Sequence, residues 1–133
     1  MLTNTFTRTW SNSGEQISKA VSISSGAEIS IDDSIAAAQT NKLVAFAADV
    51  SQMKGLYMVS SLDLAVETNS AGAPANTFTL SANVPYMWVF GDAAIRDTAG
   101  VAVITVITAL YVTNPSAETA VALQIRMLID PTL

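Results

Sequence analysis

Two places in this sequence bring carboxylates close enough together to suggest chemistry. Asp32 and Asp33 are adjacent, and Asp92 and Asp97 bracket a loop with Arg96 beside one of them. A calcium site would need six or more oxygens, and no D-x-D-x-D-G pattern surrounds the first pair, so it reads as a solvated turn after a strand. The second pair could do glycosidase chemistry only if one carboxyl were raised in pKa inside an apolar cleft. Nothing in the sequence indicates such a cleft, and these residues read as surface charge on a loop. Serine and threonine are plentiful, but there is no histidine to activate one and no S-x-x-K in a suitable context. With no cysteine either, thiolate catalysis, disulfides and the usual zinc sites are excluded, and no Gly-rich phosphate loop is present. The chain is therefore read as a non-enzyme with no cofactor and no metal.

The remaining candidates are aromatic. Phe6 with Trp10, and Tyr86 with Trp88 and Phe90, could be stacking platforms for sugars, as in a carbohydrate-binding module. They could equally fill a core or a subunit interface, where Trp and Tyr bury the most area per side chain. Val84, Met87 and Val89 flank the second group, which favours core or interface for Tyr86 and Trp88. Phe6 and Trp10 lie near a chain end, where residues 1–10 could form an N-terminal arm packed on a neighbouring subunit.

Positioning these residues requires strands. Thr3, Thr5, Thr7 and Thr9 alternate with Asn4, Phe6, Arg8 and Trp10, a Thr face opposite a face with two aromatics. Gln16 to Ser24 and Ala27 to Ile31 continue with period two. Asp32-Asp33-Ser34 is expected to end the latter run. Lys42 to Ala48 reads as a strand, followed by one helical turn over Val50 to Lys54 capped by Gly55. Leu56 to Ser60, Leu62 to Thr68, Thr77 to Leu80 and Val84 to Phe90 read as further strands, with Tyr86, Trp88 and Phe90 on one face. Asn69 to Asn76 and Gly91 to Gly100 read as loops. Val101 to Thr113 and Thr119 to Ile129, joined by Asn114-Pro115-Ser116-Ala117-Glu118, are read as a β-hairpin at the centre of a sheet. About eight to ten short strands, with turn signals every ~8–12 residues, predict one all-β, antiparallel β-sandwich domain over residues 1–133, with a jelly roll of about eight strands the expected topology.

Composition bounds the partners. Half the residues are hydrophobic and only 13% are charged, so much of the surface must be Ser, Thr, Asn and Ala or be covered by another protein. The net charge is −5 and the six basic residues are scattered, which argues against direct nucleic-acid binding. Residues 1–20 lack the basic start and apolar run of a secretory signal. Ala99 to Val112 is shorter than the ~20 residues of a membrane helix, so no membrane partner is expected.

The segments Val50 to Ser60, Leu64 to Asn69, Thr77 to Trp88, Leu110 to Asn114 and Leu123 to Pro131, in that order, resemble small virion proteins encoded near the major capsid gene of tailed bacteriophages. In size and β character the chain is similar to the jelly-roll cement, or decoration, proteins of those capsids. It departs from them at Gly91 to Val101, which is longer and more apolar. The resemblance implies a structural protein on the outer capsid surface of the virion, made in the host cytoplasm, that clamps neighbouring major capsid proteins. It further implies self-association, a homodimer ahead of a homotrimer. A tail or head-fibre accessory or a sugar-binding β-sandwich module is the alternative.

Overall fold

The computed structural model describes residues 2–132. Ten strands form: β1 (Leu2–Ser11), β2 (Gln16–Ser25), β3 (Ala27–Ile35), β4 (Lys42–Val44), β5 (Met53–Ser60), β6 (Leu64–Thr68), β7 (Thr77–Leu80), β8 (Tyr86–Val89), β9 (Leu110–Thr113) and β10 (Val121–Ile129). Eight of them build two antiparallel four-stranded sheets, ordered β3-β10-β5-β8 and β4-β9-β6-β7. In each sheet the outer sequence neighbours are interleaved by a late strand, the two-Greek-key arrangement of an eight-stranded jelly roll. The first two strands form a separate ribbon. No helix among the described residues is long and apolar enough to cross a membrane.

The period-two pattern accounts for the core. On β10, Val121, Leu123, Ile125 and Met127 point inward and are almost fully buried; on β6, Leu64 and Val66 do the same from the facing sheet. Each fully buried aliphatic side chain contributes about 1.5–3 kcal/mol relative to exposure. Tyr86 and Trp88 of β8 lie opposite Met58 and Leu56 of β5 and pack on this core, Tyr86 edge-on to Phe78 at 5.0 Å.

The C-terminal pair of runs is not a hairpin. β9 lies between β4 and β6, β10 lies between β3 and β5, and residues 114–120 cross from one sheet to the other. Alternation fixes which face of a strand is buried but not which strand it pairs with. Asn114 holds the crossing: buried to 2% exposure, it donates Nδ2 to the carbonyls of Ile35, Ala36 and Thr119 and accepts from the Ser116 N–H. Only Leu110–Thr113 of the first run is strand; residues 101–109 form a loop with isolated bridges at Arg96–Ala102 and Ala48–Ile107.

Three other local expectations change. Asp32 and Asp33 do not end their strand, because pairing with β10 carries β3 on to Ile35, and Arg126 and Lys42 neutralise the two carboxylates. β4 stops at Val44 rather than Ala48. The helical turn over 50–54 is a single 3₁₀ turn, Val50–Gln52, capped by the Asp49 side chain on the Ser51 N–H. Gly55 caps nothing. It lies inside β5 opposite Val89 of β8 and Leu128 of β10, where a bulge between Leu128 and Ile129 shifts the register.

Candidate functional site

The ribbon begins as sequence alternation and ends as a surface with two characters. Strict antiparallel register pairs Phe6 with Val21, Arg8 with Lys19 and Trp10 with Ile17, so these six side chains share one face. The other face carries Thr3, Thr5, Thr7 and Thr9 against Ser24, Ser22, Ala20 and Ser18. Hydroxyl pairs Thr5–Ser22 and Thr9–Ser18 run along it at 3.4 and 3.1 Å. Residues 1–10 are thus not a free arm where they are described: Leu2–Ser11 is paired along its length with Gln16–Ser25.

The root of the ribbon is seated on the outer face of the β3-β10-β5-β8 sheet. Phe6 and Ile23 pack with Met87, Val89 and Leu128, over the notch left by Gly55. Leu128 is only 3% exposed although its strand position faces away from the sandwich core. Lys54 donates to the Ser24 carbonyl at 3.1 Å and pairs with Asp130 at 3.2 Å, fastening β2 to the sheet. Arg8 meets Asp92 through two bonds of 3.0 and 2.6 Å. That bidentate contact raises the Arg8 pKa and holds the Asp92 carboxyl below its usual range, helped by the Val89 N–H and resisted by partial burial. Beyond this clasp no described residue covers the Trp10–Ile17 rung: Trp10 is 63% and Ile17 51% exposed.

A second uncovered surface lies on the loop end. Trp88 donates Nε1 to the Ala93 carbonyl at 2.9 Å and the Tyr86 hydroxyl donates to the Arg96 carbonyl, so both aromatics brace the 91–100 loop. Burial, then the nearby Asp97 carboxylate, raises the Tyr86 pKa. Asp97 is 7% exposed, not the surface charge its loop position suggested. It accepts from Asn76 Nδ2 and from the N–H groups of Thr77, Ala99 and Val101. Burial opposes its ionisation more than any one contact favours it, yet these bonds together hold the carboxyl below its ordinary range. Asn76 also donates to the Val101 and Ala102 carbonyls. Asn69, in the left-handed region at φ 70°, donates to the Val106 carbonyl and accepts from the Thr108 N–H. Three apolar side chains are displayed on this braced loop: Val101 at 52%, Ile104 at 83% and Val106 at 50%.

The five aromatic candidates therefore separate. Phe6, Trp10 and the exposed Phe90 gather at the ribbon, where Phe90 lines the same cleft as Phe6 and lies 5.7 Å from the Lys54 ammonium. Phe90 follows the last residue of β8 and leaves the inward face that Tyr86 and Trp88 occupy. Asp92 and Asp97 take separate structural roles, one clasping the ribbon and one organising a loop. Among the described residues no cluster of three or more metal-ligating side chains is present. The loop surface was missed in the sequence, where Val101 to Val106 read as part of a strand and Asp97 as surface charge; Asn69 and Asn76 do adjoin strand ends, but the contacts that bury Asp97 leave no pattern in the sequence.

No family model matches the chain, and no curated protein does. Among solved structures, a chain from Bacillus endospore appendages, described as a novel family of disulfide-linked pili, aligns over 81% of this chain and 95% of its own length. The identity is 12% and the TM-score 0.33, too low to bear on fold or function.

Proposed function

We propose that this chain is a structural virion protein that binds the outer surface of a bacteriophage capsid and clamps neighbouring major capsid proteins. The observation that carries the reading is the loop surface of Val101, Ile104 and Val106. Three large apolar side chains face solvent on a segment tied at Val101 and Ala102 to the buried Asp97–Asn76 pair and at Val106 and Thr108 to Asn69. Displaying apolar groups on a rigid loop costs little ordering entropy when a partner covers them. The jelly roll supports the reading as an analogy of fold, since viral capsid domains use it, and lectins do as well. Repetition over a symmetric shell would turn modest contacts into tight retention. Co-sedimentation with shells lacking the protein tests it: saturation at a fixed ratio to the shell protein is expected, and loss of binding in Ile104→Asp.

Trp10 at 63% exposure supports a second reading, a carbohydrate-binding module. Tyr86 and Trp88 do not add to it, because their polar atoms are spent on the 91–100 loop. A fluorescence shift of Trp10 on adding glycan would favour this reading over the first.

A further inference from the structure

We infer that the cleft along the outer edge of β1 takes an extended segment of a partner protein. The segment pairs with β1 as a third strand of the ribbon and seats one aliphatic side chain on the sheet below. This cleft is independent of the loop surface to which shell binding is assigned.

Its place follows from how the ribbon lies. Asn4 shares the cleft with Arg126 and Leu128 of β10, Phe6 rests on Gly55 of β5, and Arg8 meets Asp92 just past β8. Thus β1 crosses β10, β5 and β8 in turn. It is paired with β2 along one edge only. Along the other edge runs the cleft, of about 280 Å³, walled by the four consecutive residues Asn4 to Thr7 and by none of β2. Asn4 and Phe6 face the sheet while Thr5 and Thr7 face away, so what all four share with the cleft is main chain. Among the described residues nothing but β2 bonds to the main chain of Leu2–Ser11. The outer edge of β7, by contrast, is closed by Asp97 and Thr98, which accept from the Thr77 and Thr79 N–H groups. An open strand edge is a template for another strand, and a two-stranded ribbon gains stability from a third.

The floor and the charges choose the occupant. Outward side chains of a sheet form rows ~6.8 Å apart, and a strand added beside β1 lies ~4.8 Å from it. It passes over the row Met87, Tyr57, Arg126 and Ser30, next to the row of Gly55 and Leu128 beneath Phe6. Met87 and Tyr57 give an apolar seat beside the Phe6 ring. The Asn4 Oδ1 is buried with no hydrogen-bond partner, and rotation of its amide offers it an N–H of the incoming chain. Glu28 flanks Leu128 on β3, is exposed, and is in no ion pair among the described residues. A Lys or Arg two residues from the seated side chain meets that carboxylate. The partner segment is therefore an extended chain in which an aliphatic residue has a cation two positions away.

The capped heptapeptide Thr-Lys-Thr-Leu-Thr-Lys-Thr carries this pattern read in either direction and serves as the probe. Fluorescence anisotropy of its labelled form with the full chain should saturate with a Kd on the order of 10–100 µM, with amide NMR shifts clustered at Asn4 to Thr7, Tyr57 and Met87. No saturation up to about 1 mM, or shifts centred elsewhere, would overturn the inference. The peptide N-methylated at every residue should not bind, and retained affinity would rule out strand pairing. Replacing its Leu by Ser should weaken binding about tenfold, and Glu28→Lys in the protein about fivefold; equal affinity in either case would overturn the choice of occupant. Shifts at the same residues on concentrating the chain alone would give the edge to a second copy instead. Ile104→Asp should bind the peptide as the native chain does, so failure of the cleft and failure of shell binding are read separately; loss of peptide binding there would move the site to the loop surface and overturn the inference.

Discussion

The Phe6 ring occupies the space where Gly55 lacks a side chain: a β-carbon at Gly55 would lie 2.8 Å from Phe6 Cζ and 3.3 Å from Leu128 Cδ1. The ribbon is docked on the sandwich through that notch. Glycine in a strand interior forfeits packing and costs conformational entropy, so its presence here marks a close approach.

Gly55→Ala should therefore loosen the ribbon while leaving the sandwich folded. The methyl group must displace Phe6, and overpacking of this kind costs about 1–3 kcal/mol. The expected outcome is faster tryptic cleavage at Arg8 and Lys19 with a small fall in Tm. Cleavage at the native rate would show that the ribbon is held elsewhere.

Asn114→Ala should be among the most destabilising single changes away from the apolar core. It removes one amide that serves three carbonyls, one at the end of β3, one on the β3–β4 connection and one just before β10, at a position 2% exposed. Unsatisfied buried groups cost about 1–3 kcal/mol each, and part of the loss is recovered by water, so a decrease of about 3 kcal/mol is expected. Urea unfolding checks this, with the slope unchanged.

Acid should weaken the fold through Asp92 and Asp97. Both carboxyls ionise below their ordinary range when folded, so the folded state releases protons that the unfolded chain retains at the same pH. Their contribution is complete above the unfolded value of about 4 and is lost as pH falls through the depressed folded values. Stability should be flat from neutral pH to about 5 and drop below about 4. Asp97→Asn cannot titrate and turns an NH₂ toward backbone donors; it should be less stable by about 2 kcal/mol at neutral pH, with a shallower acid slope. An unchanged slope would assign the acid sensitivity elsewhere.

What the sequence disclosed follows from what alternation can encode. The ribbon strands, β6 and β10 were legible because one face of each is apolar, and the number of such segments separated by turns implied the two-sheet sandwich. Pairing partners were not legible: β9 and β10 are adjacent in sequence and equally apolar inward, yet a seven-residue connection carries them into different sheets. Short-range helix propensity in Val50 to Lys54 was outweighed by the pairing of Met53 with Ile129. Of the site residues, Phe6 and Trp10 were visible as aromatics on a Thr-rich strand. The loop surface was not, because burial of Asp97 depends on three backbone N–H groups and Asn76, contacts that carry no sequence pattern.

The shell-binding claim is tested most directly by sedimenting the purified protein with capsids that lack it, native chain beside Ile104→Asp. Ile104 is 83% exposed, so its replacement leaves the fold intact and alters only the displayed surface. Saturable binding of the native chain at a fixed ratio to the shell protein is expected, with a loss of at least tenfold in affinity for the variant. Native protein that stays in the supernatant with every shell tried, or a variant that binds as well as the native chain, would contradict it.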